Sequence, residues 1–174
     1  MQKTYYQGDL DGLCGVYAII NAVDVLCGPL DDNQAQQLFK QILRYLNTQV
    51  PIAERLSDGL TLYDVAGIIN QVICRNYPIQ RSKPFHGQAS ISLSRYWSTL
   101  QTALIQPHTV VLIGIAGRYN HWTVIQRMTD KSLILKDSGR MRYLQRRHCS
   151  VFNAIGHNKR HWLLPTNTYL LQRL

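Results

Sequence analysis

The chain has 174 residues and a mass of 20.0 kDa, one domain's worth. Hydrophobic residues make up 45% and charged residues 17%, which provides a real core and argues against disorder; no apolar run is long enough to cross a bilayer. The net charge of +9 is lopsided: residues 1–80 hold 5 basic and 8 acidic side chains, residues 81–174 hold 14 basic and only Asp130 and Asp137 as acids. Such an excess predicts attraction to an acidic protein surface, nucleic acid or anionic lipid, with a solvated basic face as the bland alternative. Cys14, Cys27, Cys74 and Cys149 show no CxxC spacing, which argues against a structural zinc, and they read as reduced thiols. The first residues lack the apolar stretch of a signal peptide, so the expected location is cytoplasmic, or outside the cell by a dedicated export system.

Along the chain the periodicity predicts a first helix from Leu13 to about Cys27, with Val16, Ile19, Ile20, Val23 and Leu26 on one face and Gly28-Pro29 as its stop. A second starts near Asp31 or Asp32, either of which can cap it, and buries Leu38, Phe39, Ile42, Leu43 and Leu46. A third follows Ser57-Asp58-Gly59 with Leu62, Val65, Ile68, Ile69, Val72 and Ile73 as its stripe. A short fourth covers Tyr96 to Leu104. Strands come next: Thr109 to Ile115 as a buried central strand, Trp122 to Arg127, Ser132 to Lys136, and Met141 to Leu144, joined by turns into an antiparallel meander. Helices first and strands second is the α+β arrangement, within a single domain over 1–174: a mainly helical lobe to about 105 and a mainly sheet lobe after it. The tail beyond Arg146, including Trp162-Leu163-Leu164-Pro165 and Tyr169-Leu170-Leu171, reads as one short strand or as packing over the sheet.

Chemistry concentrates at the start. Cys14 falls in the first turn of an amphipathic helix, after an Asp-Gly turn, where orphan N–H groups and the helix dipole favour a thiolate. Gly12 and Gly15 beside it allow another chain to approach. Gln7, seven residues upstream, offers an amide donor that can hold a developing oxyanion together with the Cys14 N–H. A thiolate nucleophile needs a base that also serves as acid. Of His86, His108, His121, His148, His157 and His161, only His121 opens a predicted core strand. Asp137 ends the neighbouring antiparallel strand and so lies at the same sheet edge as His121, while Asp130 lies at the opposite end. The bland readings are a buried helix thiol for Cys14, a strand-end histidine bonded to backbone for His121, an Asx turn for Asp137 and a surface amide for Gln7, with Gln2 as an outside rival. Asp11 is expected to cap the Cys14 helix, and Trp122 to be core rather than a shield for His121.

Gln7, the Asp11-Gly12-Leu13-Cys14-Gly15-Val16-Tyr17-Ala18 run, the His121-Trp122-Thr123-Val124 strand and the Leu135-Lys136-Asp137-Ser138-Gly139 strand end resemble the papain-like cysteine peptidases, most closely the bacteriocin-processing (double-glycine leader) peptidases and their stand-alone relatives. The order Gln, Cys, His, Asp and the single hairpin between His and Asp match. The resemblance implies a papain-like fold, with Cys14 as nucleophile, His121 as base and acid, Asp137 as orienting residue and Gln7 as oxyanion donor, and no cofactor or metal. It spans about residues 5–145. Leader peptidases are usually fused to a membrane transporter, and nothing here spans a membrane; the basic tail matches no part of the pattern. The expected activity is hydrolysis of a peptide or isopeptide bond through a thioester, with small residues near the cleaved bond. The alternatives are a papain-fold deamidase or transglutaminase-like effector toxin and, last, a non-enzymatic basic binding module. The expected partner is a protein or peptide substrate with an acidic surface rather than nucleic acid, with an inhibitor or immunity protein besides.

Overall fold

The computed structural model describes residues 3–9, 11–88, 90–151 and 159–174. Helices α1 (Cys14–Cys27), α2 (Asp32–Gln49), α3 (Ile52–Asp58) and α4 (Leu62–Ile68) come first; α4 continues through a π-helical turn (Ile69–Ile73) into α5 (Cys74–Asn76). Then follow β1 (Ile79–Ser82), α6 (Leu93–Ile105), β2 (Thr109–Gly117), β3 (His121–Met128), β4 (Ser132–Lys136), β5 (Tyr143–Gln145), β6 (Cys149–Val151) and β7 (His161–Arg173). The strands form one sheet in the order β1-β7-β2-β3-β4-β5, antiparallel throughout except that β6 adds to β7 in parallel. The chain is thus α+β, a helical part and a mostly antiparallel sheet. Among the described residues no helix is long and apolar enough to cross a membrane.

The sheet is covered on both faces. Val110, Leu112, Trp122, Val124, Tyr169 and Leu171 join α1, α2 and the α4 stripe in one core, while Val111, Ile113, Ile115, Ile125, Leu133 and Leu163 join Tyr96, Trp97 and Leu100 of α6 in a second. Successive residues of β2 therefore feed opposite cores, which is why its sequence is a continuous apolar run rather than an alternation. Each such side chain contributes about 1.5–3 kcal/mol on leaving water, so neither face is dispensable. The helix α6 lies behind the sheet, and β1, from the first half of the chain, pairs with β7. Among the described residues, all the α-helices fall before about residue 105 and all the strands but β1 after it.

Local chemistry accounts for most boundaries. Asp31 rather than Asp32 caps α2: its carboxylate accepts the Gln34 N–H (2.8 Å) and the Gln34 side chain accepts the Asp31 N–H (3.0 Å). Thr61 and Asp64 close the same reciprocal box on α4. The strand expected at Met141 starts instead at Tyr143, because the Met141 N–H is taken by the Asp137 carboxylate (2.9 Å). The tail departs most from expectation. β7 has 13 residues and lies between β1 and β2, paired on both sides.

Candidate active site

The start of α1 carries Cys14 as its first residue, half-buried, and no side chain caps the helix. Asp11 does not supply the expected cap. Its two oxygens accept the N–H groups of Gly8 (2.7 Å) and Leu13 (3.0 Å), so the carboxylate is spent on the loop before the helix. The positive end of α1 is left to face the cleft at Cys14. Gly12 donates its N–H to Leu56 O (2.7 Å), and a Cβ on Gly12 would stand 2.9 Å from the Gly59 nitrogen. Only glycine lets the α3–α4 loop lie so close beside Cys14.

His121 opens β3 and is held at Nε2 by Asp137 Oδ1 at 2.6 Å. Cys14 lines the same cleft and lies near enough to the imidazole to influence its charge, and Nδ1 is the ring nitrogen that Asp137 leaves free. Asp137 follows β4 and is fully satisfied: Oδ1 takes His121, while Oδ2 accepts the N–H groups of Gly139 (2.8 Å) and Met141 (2.9 Å). Asp137 therefore makes the turn with one oxygen and holds His121 with the other. Thr123, two residues along β3 from His121, is wholly buried; its hydroxyl makes no hydrogen bond of good geometry but stands beside the Asp137 carboxyl.

These contacts set the charges. Burial alone would push the His121 imidazole down; the hydrogen bonds to Asp137 and Cys14, with the negative charge on both, carry it up to about 9. Burial alone would push the Asp137 carboxyl up; the hydrogen bond and charge of His121, the Thr123 hydroxyl and the Met141 N–H hold it below the ordinary carboxylate value. At neutral pH the site holds an imidazolium between the Asp137 carboxylate and the Cys14 sulfur.

Gln7 lines the same cleft as Cys14 and His121. Its Oε1 accepts from the Ser138 hydroxyl (3.2 Å) and its backbone N–H reaches Ser138 O (3.3 Å), which ties it to the turn carrying Asp137. Its Nε2 makes only a long contact to Asp11 O (3.4 Å) and keeps a hydrogen for a ligand. The structure thus brings Gln7, Cys14, His121 and Asp137 together. Gln2 and His157 lie outside the described residues.

Two further residues shape the site without any signal in the sequence. Ser138 is buried and sets the Gln7 amide. Tyr119, in the β2–β3 turn, meets His121 edge-on with ring centroids 6.3 Å apart, and its hydroxyl is anchored by Met141 Sδ (2.8 Å) and His161 Nδ1 (3.3 Å). Tyr119, rather than Trp122, covers the imidazole. Trp122 is core: it bonds Leu60 O (3.3 Å) and tilts against Tyr169. His161 also opens a strand, so strand position alone does not single out His121; what distinguishes His121 is its partners. His161 is buried against Tyr119 and its imidazole is pushed down by burial and by Arg160 and His148.

The other thiols differ. Cys27 and Cys74 are half-buried and burial raises both. Cys149 is buried and burial pushes it up to about 12. Among the described residues no group of three or more His, Cys, Asp or Glu side chains is placed to hold a metal ion. The cleft has a volume of about 470 Å³ and runs between the Ser57–Leu62 loop on one side and Gly114, Ile115, Leu164 and Asn167 on the other. No family model, curated protein or solved structure matches this chain.

Proposed function

We propose that this protein is a papain-like cysteine peptidase that hydrolyses a peptide or isopeptide bond through a thioester on Cys14. The observation that carries the reading is the placement of Cys14, at an uncapped helix N-terminus, in the same open cleft as a His121 imidazole whose Nε2 is fixed by Asp137 at 2.6 Å.

The geometry supports the following steps. The Cys14 sulfur attacks the amide carbonyl carbon, and the oxyanion that forms is held by the Cys14 N–H and Gln7 Nε2. The tetrahedral species collapses as the C–N bond breaks, and the His121 Nδ1 proton passes to the leaving amine. Neutral His121 then takes a proton from water, whose hydroxide attacks the thioester carbon. The C–S bond breaks, the acid leaves, and the thiolate–imidazolium pair is restored. Asp137 holds the ring in place and stabilises its charge without exchanging a proton.

The test is incubation of the wild-type protein and Cys14→Ala with a denatured protein mixture, with the products read by mass spectrometry. The reading predicts new chain ends that Cys14→Ala does not produce, with a thioester adduct on the Cys14 peptide after rapid acid quench. A change of about 1 Da on intact chains would make the protein a deamidase instead, since the same thioester chemistry then acts on a side-chain amide. Neither product, with Cys14 unmodified, contradicts the reading.

A further inference from the structure

The strand β7 is interrupted in a way that bears on the cleft. Its pairing with β2 runs in register from Gln172 to Thr168, which faces Ile113; the next β2 residue, Gly114, faces Leu164. Pro165, Thr166 and Asn167 are extruded from the ladder between them. A bulge of this size in a central strand disrupts pairing and re-aims a side chain, and such features gather beside active sites. This one is built from several parts. At its base the Thr168 hydroxyl donates to Leu164 O (2.9 Å) and meets the buried Tyr96 hydroxyl (2.9 Å), which closes the extruded loop from below. Above it, Gly114 leaves room: a Cβ there would stand 2.9 Å from Asn167 Cβ and 3.2 Å from Asn167 Nδ2. The Thr166 hydroxyl donates to Asn167 Oδ1 (3.1 Å), which turns the amide so that its Nδ2 donor is left over. Among the described residues no group accepts from Nδ2. The product of this arrangement is an asparagine on the wall of the cleft that holds Cys14 and His121.

We infer that Asn167 is a substrate-binding residue that donates from Nδ2 to a main-chain carbonyl of an extended polypeptide lying in the cleft. The inference rests on the proposed peptidase reading. Spacing supports an extended chain. Gly114, against which Asn167 packs, stands opposite Trp122 and Ile115 opposite His121, so Asn167 lies between one and two strand spacings from the imidazole, about 5–10 Å. About two to three residues of extended chain cover that distance. The contact therefore falls on the substrate backbone about two or three residues from the reacting carbonyl. A side-chain amide in this position recognises that the substrate is an extended peptide, whatever its side chains.

Three reagents that lose chloride to a thiolate test this: chloroacetamide, acetyl-Ala-Ala-Gly chloromethyl ketone, whose chain extends to the amino side, and chloroacetyl-Gly-Ala-Ala amide, whose chain extends to the carboxyl side. Each rate at Cys14 is divided by that of the same reagent with glutathione. The proteins are wild type, Asn167→Ala and Asn167→Asp, the last of which keeps the size and loses the N–H donor. One of the two peptide reagents is expected to outpace chloroacetamide on the wild type. Both variants should lose about tenfold of that advantage, the worth of one hydrogen bond, with chloroacetamide rates equal in all three proteins. If neither peptide reagent holds an advantage, or both variants keep it, while chloroacetamide still labels Cys14 ahead of the other cysteines, the assignment of Asn167 is wrong and the nucleophile stands. If no reagent prefers Cys14, the peptidase reading fails and this inference with it.

Discussion

Lys136 and Asp137 are consecutive residues, and each forms an ion pair with a group from another element. Lys136 reaches Asp24 near the end of α1, with side-chain exposures of 2% and 0%; Asp137 holds His121, with 0% and 10%. The first pair is sealed on both sides, and the second opens at one imidazole nitrogen onto the cleft. Asp24 spends its other oxygen on the Leu30 N–H (2.8 Å), so the sealed pair fastens β4 to α1 and to the loop that follows it. The two pairs use similar groups for different ends. In the sealed pair the interaction is complete within the fold, whereas in the open one the charge on His121 is left facing the cleft that holds Cys14.

The comparison is sharpest when one partner of each pair is removed. Asp24→Ala leaves a lysine buried without its counter-ion, and the expected loss is about 3–5 kcal/mol of unfolding free energy, read from urea denaturation. The double variant Asp24→Leu/Lys136→Met should recover most of it, because no charge is then stranded. His121→Ala should act the other way round. Its fold should survive, while alkylation of Cys14 at pH 6 should slow by roughly a hundredfold as the neighbouring cation disappears. A large loss of stability with unchanged alkylation would mean that the open pair is structural like the sealed one.

The pH dependence separates the pairs further. His121 titrates at about 9 in the fold against an ordinary 6.5, so its contribution to stability is complete below pH 6.5 and is lost as the pH rises through about 9. Asp137 is held below its ordinary 3.8, so its contribution is present above that pH and is lost as the pH falls below it. Thermal unfolding should therefore show a plateau between about pH 4 and 6.5 and a decline on either side. In His121→Ala the alkaline decline should vanish. The smallest expected effect belongs to Thr123→Val, which removes the hydroxyl beside Asp137. Stability should fall by about 1 kcal/mol or less, and the acid limb should move to higher pH as the carboxyl loses a stabilising contact. An unmoved acid limb would mean that Thr123 is merely packed there.

Much of this was legible in the sequence. Cys14, His121 and Asp137 were found because the periodicities are clean where they sit: α1 has a long apolar stripe and β3 and β4 are short runs with clear turns. Their pairing followed from antiparallel geometry. What was missed lacked a local signal. α3 buries no side chain and so has no stripe. β1 buries only Ile79 and sits at the sheet edge. β7 was hidden by its own bulge, since Pro165 and Asn167 are strand breakers by local chemistry and the strand continues past them only because β2 supplies Gly114 opposite. Ser138 and Tyr119 meet partners far away in sequence, and Asn167 reaches the cleft only because the bulge sets it against Gly114, which no window of residues reveals.

The central claim is that the thiol of Cys14 is set apart from the other three by the imidazolium beside it. Iodoacetamide labelling of the folded protein between pH 4 and 9, with peptide mapping of all four cysteines, measures this directly. An ordinary thiol reacts as the pH approaches about 8.5. The account predicts that Cys14 is already labelled quickly at about pH 5–6, that Cys27 and Cys74 react only in alkali, and that Cys149, pushed up to about 12 by burial, stays unlabelled until the protein unfolds. If Cys14 reacts no faster than Cys27 and Cys74 over the whole range, the histidine does not activate it and the catalytic reading is wrong.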